Sequence, residues 1–435
     1  MKLGYIASNL YRHTFEINEV AELVRRRPDT RVYSFYRPGN GAVQSERLTE
    51  IDSPVVSWSP ATIVRGMVSL AVRRPFHLLA AAAELGVRSF PNPVYWFKNA
   101  ATFLAAMPIL NDARRHGVTH LHANFGSSPA TVAWLGRRIL GTGMSLTFHA
   151  FDIYYGARSH RDPLKRQKLR DANLVVAVHR HGLDYLRGLV PGEPADKFCV
   201  IRISVSFVPL PRRPARPLLV AAGNLIHKKG FDVLVEAVAI LARDGTDVRA
   251  RILGEGPERS RLETLAAAEG VSDRIDMPGY YAHAELAIHL SEASALVMPS
   301  RVSAGGQRDG IPTVVVEAWL SRTPVIASLV GGMPEVIVDG DTGLVFEPED
   351  AGALAACVRR LLESDELAIT LSAQGTATAE TEFSPERNVG KLLEKIESAS
   401  RPQVPPQVGD DQAGAERKPR EVAELDVGEH PADER

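Results

Sequence analysis

Short apolar runs alternating with stretches of helical periodicity, in two successive series, decide what this 435-residue chain can fold into. In the amino half, LGYIAS (3–8), RVYSFY (31–36), THLHANF (119–125), MSLTFH (144–149) and NLVVAV (173–178) read as strands. The carboxyl half repeats the rhythm with PLLVAAG (217–223), VRARILG (248–254), ALVMPS (295–300), PVIASL (324–329) and GLVF (343–346). Helical patterns lie between them at 15–27, 129–140, 231–243, 258–268 and 314–321. Strands apolar on both faces must be covered on both sides by crossover helices. The spacing therefore predicts an α/β protein of two doubly wound, Rossmann-like domains with parallel sheets.

Between the two series, VPLPRRPARP (208–217) holds four prolines in ten residues and reads as a stiff linker. The expected domains are thus 1–207 and 218–400. The last amphipathic helix, PERNVGKLLEKIESA (385–399), is placed to cross back to the first domain. From Arg401 to Arg435 there is no aromatic residue and much Pro, Gly and acid, so a disordered tail is expected. With 45% hydrophobic and 24% charged residues, each domain can bury a core of its own. Cys199 and Cys357 stand apart with no zinc spacing and no disulfide framework, which fits a reducing cytoplasm. MKLGYIASNLYRH has no apolar h-region, and no run of about 18 apolar residues occurs anywhere, so no span is expected.

The net charge of −1 conceals an asymmetry. Residues 1–216 carry 30 Lys and Arg against 15 Asp and Glu, and the remainder carries 21 against 37. Such polarity points either to a charged partner or to solvated faces of different composition. Within the basic half, residues 61–90 contain Arg65, Arg73, Arg74 and Arg88 and a single acid, Glu84. Ile63, Val64, Met67, Val68, Leu70 and Ala71 recur near helical spacing as far as Pro75. That is the pattern of a basic amphipathic helix, either seated on an anionic membrane or packed by its apolar face on the core.

Three segments carry chemistry. In AAGNLIHKKGFDVLVEA (221–237) a strand ends at Gly223, and Lys228–Lys229–Gly230 opens a helix whose free amides favour an anion. In GGQRDGIPTVVVEAWLSRTPVIAS (305–328) Pro312 suits the first turn of a largely apolar helix that contains Glu317, with Asp309 just before it. A carboxylate in such a helix is costly unless it accepts hydrogen bonds, which vicinal sugar hydroxyls or an internal partner would supply. In SLTFHAFDIYYG (145–156) His149 and Asp152 fall at the carboxyl end of a strand, where open parallel sheets bind ligands. His120 and His122 share a strand face but lack a third ligand, and Asp339–Gly340–Asp341 reads as a tight turn, so no metal site is expected. No Ser-His-Asp spacing, nucleophile elbow or Walker loop is present, and no basic helix interleaved with aromatics suggests nucleic acid.

Taken together, GEGPERSRLE, DGIPTVVVEA and TPVIASLVGGMPEVIVDGDTGLVFEPED resemble the retaining glycosyltransferases of family 4 from about Pro217 to Leu362. THLHANFG, TFHAFDIY and HTFEINE extend the resemblance more loosely into the amino half, and the subgroup is that of bacterial exopolysaccharide and colanic-acid-type enzymes. The resemblance implies the GT-B fold, with the active site in a cleft between two domains. It also implies that Lys229 contacts the donor diphosphate, with Asn224 standing where an arginine is usual and Arg308 or Lys228 able to compensate. Glu317 would hold the ribose, and backbone amides of Gly310, Ile311, Pro312 and Thr313 would cradle phosphate or sugar (Pro312 contributes no N–H). Asp309, where glutamate is usual, and His149 would face the donor sugar at the reacting centre. Thr14, Phe15 and Asp152 would lie on the acceptor side, where His13 replaces a commoner glutamate.

These roles imply a retaining transfer of a hexose-type sugar from a nucleotide-diphosphate donor to a glycan or lipid-linked acceptor. No metal or other cofactor is required by such a site, and no nucleic acid partner is expected. The expected location is the cytoplasm, peripherally on the inner face of the membrane. Asn224 and Asp309 also motivate an alternative, a binding-only homologue within a synthesis complex. A nucleotide-sugar epimerase of the same architecture is a further alternative.

Overall fold

The computed structural model describes residues 1–8, 10, 14–35, 59–90, 92–154, 162–213 and 217–400. His13, residues 214–216 of the linker and the tail from Arg401 lie outside the described residues.

The first lobe contains β1 (Leu3–Ala7), α1 (Thr14–Arg26), β2 (Arg31–Ser34), α2 (Pro60–Arg73), α3 (Pro75–Ser89) and α4 (Pro93–Arg115). It continues with β3 (His120–Asn124), α5 (Ser128–Leu140), β4 (Gly143–Phe148), α6 (Ala150–Tyr154), α7 (Lys165–Asp171), β5 (Leu174–Ala177), α8 (Arg180–Leu189) and β6 (Phe198–Val200). Its sheet runs β2-β1-β3-β4-β5-β6, and every pairing is parallel. The second lobe contains β7 (Leu218–Ala222), α9 (Phe231–Arg243), β8 (Arg249–Leu253), α10 (Arg259–Ala268), β9 (Ile275–Gly279), α11 (His283–Glu292) and β10 (Ala295–Met298). Then come α12 (Thr313–Leu320), β11 (Val325–Ser328), β12 (Leu344–Phe346), α13 (Ala351–Leu362), α14 (Asp365–Glu382) and α15 (Pro385–Ser400). Its sheet, β12-β11-β10-β7-β8-β9, is also wholly parallel.

The second sheet has the strand order of a dinucleotide-binding fold, with its reversal of winding between β7 and β10. The first reverses between β1 and β3. Ligands of open parallel sheets bind in the crevice at such points, outside the carboxyl ends of the strands. All ten runs read from the sequence are strands. Two more, β6 and β9, are edges: β6 is only three residues long, and β9 is interrupted by Asp276 and Pro278. Pro278 lies inside β9, where an edge tolerates the missing N–H.

Helix α15 leaves the second lobe and packs on the first. Val389, Leu392 and Ile396 join Leu3, Ile17, Val20 and Val176 in one buried cluster, and Arg27 pairs with Glu397 at 2.6 Å. The chain thus crosses between the lobes twice, which holds them together in one compact unit of residues 1–400.

Candidate functional site

The wall contributed by the second lobe is built from the loops after β7 and β10. Gly230 has φ +65, and a Cβ there would lie 1.9 Å from the Pro299 carbonyl oxygen, so only glycine lets these loops touch. That contact brings Lys228 and Lys229 onto Asp309. Lys229 Nζ donates to Oδ2 at 2.8 Å, Lys228 Nζ lies 2.7 Å from Oδ1, and Ser300 Oγ donates to Oδ2 at 3.1 Å. Burial by itself would raise the Asp309 pKa, but the two ammonium charges outweigh it and hold the carboxyl well below its usual range. Gly331, at φ +66, seats the same loop from the other side: a Cβ would lie 1.8 Å from the Asp309 carbonyl oxygen and against Arg308 Cγ.

Pro312 takes the N-cap position of α12 in extended conformation, which leaves the amides from Thr313 onward at the helix start. Glu317 follows one turn later and is buried among Val314, Val315, Val316 and Ala318. Its Oε1 accepts from His283 Nε2 at 2.8 Å. That hydrogen bond raises the His283 pKa against the opposing effect of burial. The costly carboxylate of an apolar helix therefore has one internal donor, contributed by the first residue of α11.

Lys229, Pro312, Glu317 and His283 line a cleft of about 420 Å³, whereas Lys228 and Asp309 are not among its lining residues. Asn224, Thr313, Tyr280 and Tyr281 line it as well, and Thr14 contributes from the first lobe. A larger hollow of about 600 Å³ is lined by Pro217, Leu218, Arg249 and Arg251. It sits where β7 and β8 begin, the end of a parallel sheet that ligands avoid. The smaller cleft is the candidate site.

His149, which is not among the residues lining this cleft, follows β4 in the first lobe. Its Nε2 lies 2.6 Å from Asn124 Oδ1, while Asn124 Nδ2 donates to Tyr5 Oη and Tyr5 donates to Glu19 Oε1, each at 2.7 Å. The chain of donors gives a consistent sense: with the Asn124 amine turned to Tyr5, its oxygen accepts the Nε2 proton of His149. Phe125 stacks on the imidazole at 4.3 Å, and Phe15 adds a second ring at 4.9 Å. Phe125 holds φ 94, a rare conformation for an aromatic residue and a cost borne at the position that clamps His149.

Asp152 is buried, and its carboxylate accepts from the backbone N–H groups of Gly126 at 2.9 Å and His149 at 3.3 Å. Burial raises its pKa to about 6, against those two bonds. It shapes the His149 loop from within. Ile311 is also buried, and Gly310 lies against Ala150 of the first lobe, where a Cβ would come within 3.2 Å of the alanine methyl. Gly310 thus links the loop of Asp309 to the loop of His149.

A second tie between lobes has no counterpart in the sequence reading. Glu335 accepts from the backbone N–H groups of Arg180 at 2.8 Å and His181 at 3.0 Å, capping α8 from the other lobe, and pairs with Arg202 at 2.7 Å. Burial would raise its pKa, but these donors lower it. Tyr281 and His283 were likewise hidden, because the strand that delivers them contains Pro278. His120 and His122 both hydrogen-bond Ser145 Oγ, at 2.9 and 2.8 Å. Among the described residues no group of three or more His, Cys, Asp or Glu could hold a metal ion.

Residues 206–378 match the family described as Glycosyl transferases group 1. Over 285 residues the chain is 30% identical to WcaL of Salmonella typhimurium, named for colanic acid biosynthesis, covering 63% of this chain and 70% of the relative. It is 32% identical over 271 residues to an α-D-kanosaminyltransferase of Streptomyces kanamyceticus, covering 57% and 68%. Among solved structures, Anabaena HepE in complex with UDP aligns with a TM-score of 0.66 at 17% identity, covering 92% of this chain and 100% of that one. Sucrose-phosphate synthase of Thermosynechococcus elongatus aligns with a TM-score of 0.68 at 20% identity and the same coverage. At such identities these likenesses speak for the fold, and the two facing sheets are the GT-B architecture that the motifs imply.

Proposed function

We propose a specific activity for this chain, which belongs to the group 1 glycosyl transferases. It moves a hexose-type sugar, with retention of configuration, from a nucleotide-diphosphate donor to a glycan or lipid-linked acceptor in polysaccharide synthesis. The observation that carries this reading is the single cleft holding Lys229, the amide-bearing start of α12 and the buried Glu317. A diphosphate needs fixed positive potential, and a ribose needs an acceptor for two hydroxyls. The cleft offers both on adjoining elements.

In this reading Lys229, Lys228 and the α12 amides stabilise the departing diphosphate, the kind of electrostatic help that preorganised sites supply best. No metal is required for that charge. Glu317, already oriented by His283, accepts from the ribose hydroxyls. His149 and Asp309 face the transferred sugar from opposite lobes, and Thr14 and Phe15 border the acceptor. The named roles of WcaL in colanic acid and of AmsK of Erwinia amylovora in amylovoran biosynthesis support a polysaccharide product. HepE has been captured with UDP-glucose, which supports a nucleotide-hexose donor. No described helix is long and apolar enough to cross a membrane. We place the enzyme on the cytoplasmic side, peripheral to the bilayer that carries lipid-linked acceptors.

One observation favours a second reading. Asp309 already pairs with both lysines and offsets one of their two charges, and Asn224 adds none, so the protein could bind a donor without turning it over. A thermal-shift screen of nucleotide sugars, followed by nucleotide release in the presence of lipid-linked glycans, decides between them. Transfer with an unchanged anomeric configuration, lost on the order of a hundredfold in Glu317→Ala, is the expected result. Saturable donor binding without turnover would leave the binding-only reading, and an unaffected Glu317→Ala enzyme would remove Glu317 from the site.

A further inference from the structure

Helices α2, α3 and α4 form an outer layer on the first lobe, and each has two apolar faces. The inner face of α2 is Gly66 and Leu70, with Met67 packed on the core. Gly66 allows the closest approach to α4: a Cβ there would lie 2.6 Å from the Met107 carbonyl oxygen. The outer face is Val64, Val68 and Val72, one turn apart and 56 to 76% exposed. Helix α3 repeats the arrangement. Leu78, Ala81 and Leu85 point inward, while Phe76, Leu79 and Val87 are 68 to 83% exposed. On α4, Val94, Phe97 and Leu104 are exposed and again fall at helical spacing. An amphipathic helix serving only the core needs one apolar stripe. Singly scattered exposed valines are ordinary, but outward stripes on three consecutive, mutually packed helices mark a contact surface.

The charge around that surface selects the partner. Residues 59–116 contain seven Lys and Arg but only two acids, Glu84 and Asp112. Both acids are occupied: Glu84 pairs with Arg88 and Arg138, and Asp112 with Arg31. Arg65, Arg73 and Arg74 are exposed and form no ion pair among the described residues. A second copy docked face to face would set these cations against their own image, which disfavours self-association through this layer. An anionic bilayer satisfies both properties, accepting the apolar side chains at the headgroup boundary and the guanidinium groups at lipid phosphates.

We propose that the outer face of α2, α3 and α4 seats this protein on an anionic membrane surface. The sequence left the apolar residues of α2 open to either use, and the structure shows that Val64, Val68 and Val72 are not consumed by the core. The seat deepens the peripheral location given above, but it is independent of the transfer chemistry, so the two can fail separately.

Vesicle co-sedimentation of the full chain tests it, with phosphatidylglycerol–phosphatidylethanolamine vesicles against neutral phosphatidylcholine vesicles. Attachment should require phosphatidylglycerol and weaken as salt screens the charges. Each basic residue near such a leaflet multiplies partitioning about fivefold, so Arg65→Ser, Arg73→Ser and Arg74→Ser together should lower it on the order of a hundredfold. Val68→Asp with Phe76→Asp should also release the protein. All five positions are solvent-facing, so circular dichroism and the thermal shift with donor should stay unchanged, which separates a lost seat from a lost fold or a failed donor site. Equal partitioning onto neutral vesicles, or none onto anionic ones at low salt, would overturn the proposal. So would lipid-free dimerisation that Val68→Asp abolishes, since a second copy would then own the face.

Discussion

Lys229 Nζ and Asp309 Oδ2 stand 2.8 Å apart, although the residues are separated by 80 positions of chain. With Lys228 on the other carboxylate oxygen, the strongest positive charges near the cleft are held by an internal anion. A diphosphate arriving there must share both ammonium groups with Asp309. The same pairing keeps the lysines ordered before a donor binds, which is the preorganisation an electrostatic site needs.

Asp309→Asn should separate these two effects. Nucleoside diphosphate binding should tighten about tenfold because the negative charge that offsets one of the two lysines is gone, while sugar transfer should slow. Titration calorimetry and initial rates measured side by side check this. Unchanged nucleotide affinity would mean that the phosphates bind elsewhere.

Asn224 is exposed at the cleft, so a longer cationic side chain has room. Asn224→Arg should tighten nucleotide-sugar binding about fivefold to tenfold, and the gain should shrink with added salt. A loss of binding would show that Lys228 already fills that electrostatic role.

Glu335→Ala removes the acceptor of the Arg180 and His181 N–H groups and one of the two carboxylate partners of Arg202, leaving the His179 cap of α8 and Glu382 in place. A lost acceptor at a helix start and a lost charge-assisted bond suggest a stability cost of about 1–3 kcal/mol in urea unfolding. The folded pKa of Glu335 lies below the ordinary value of 4.5. Its contribution is therefore present above that value and disappears as pH falls through the lower, folded one. The variant should lose the corresponding acid-side slope; an unaltered slope would assign it to other carboxylates.

Glu19 acts in the opposite direction. Burial raises its pKa from 4.5 to about 7, despite the hydrogen bond from Tyr5. The folded state then holds a proton that the unfolded chain releases, so the contribution is complete below pH 4.5 and is lost as pH rises through about 7. Asp152, raised to about 6, adds the same sign over a lower window. Glu19→Gln keeps an acceptor for Tyr5 without the charge. Its melting temperature should fall less than that of the parent between about pH 5 and about pH 8. Parallel melting curves would clear Glu19 of this role.

The sequence by itself determined the two parallel sheets, because a strand buried on both faces must be apolar along its whole length. Ten runs are legible, most of them apolar or nearly so, and the two strands that are not legible, the three-residue β6 and the Pro278-containing β9, are edges with one flank unpaired. It also singled out Lys229, Thr313 and Glu317, which line one cleft, since a polar group at a helix start or inside an apolar helix is conspicuous locally. Tertiary structure alone decided how those groups are neutralised. Asp309 meets Lys229, His283 meets Glu317 and Glu335 caps α8 only after the chain has folded back across 80, 34 and 155 positions. No local pattern records such distances. The same holds for α2, where Val64, Val68 and Val72 and the opposite pair Gly66 and Leu70 both satisfy a helical repeat. Periodicity reports that a helix has an apolar face, but which face meets the core depends on the neighbour it packs against, here the Met107 backbone of α4.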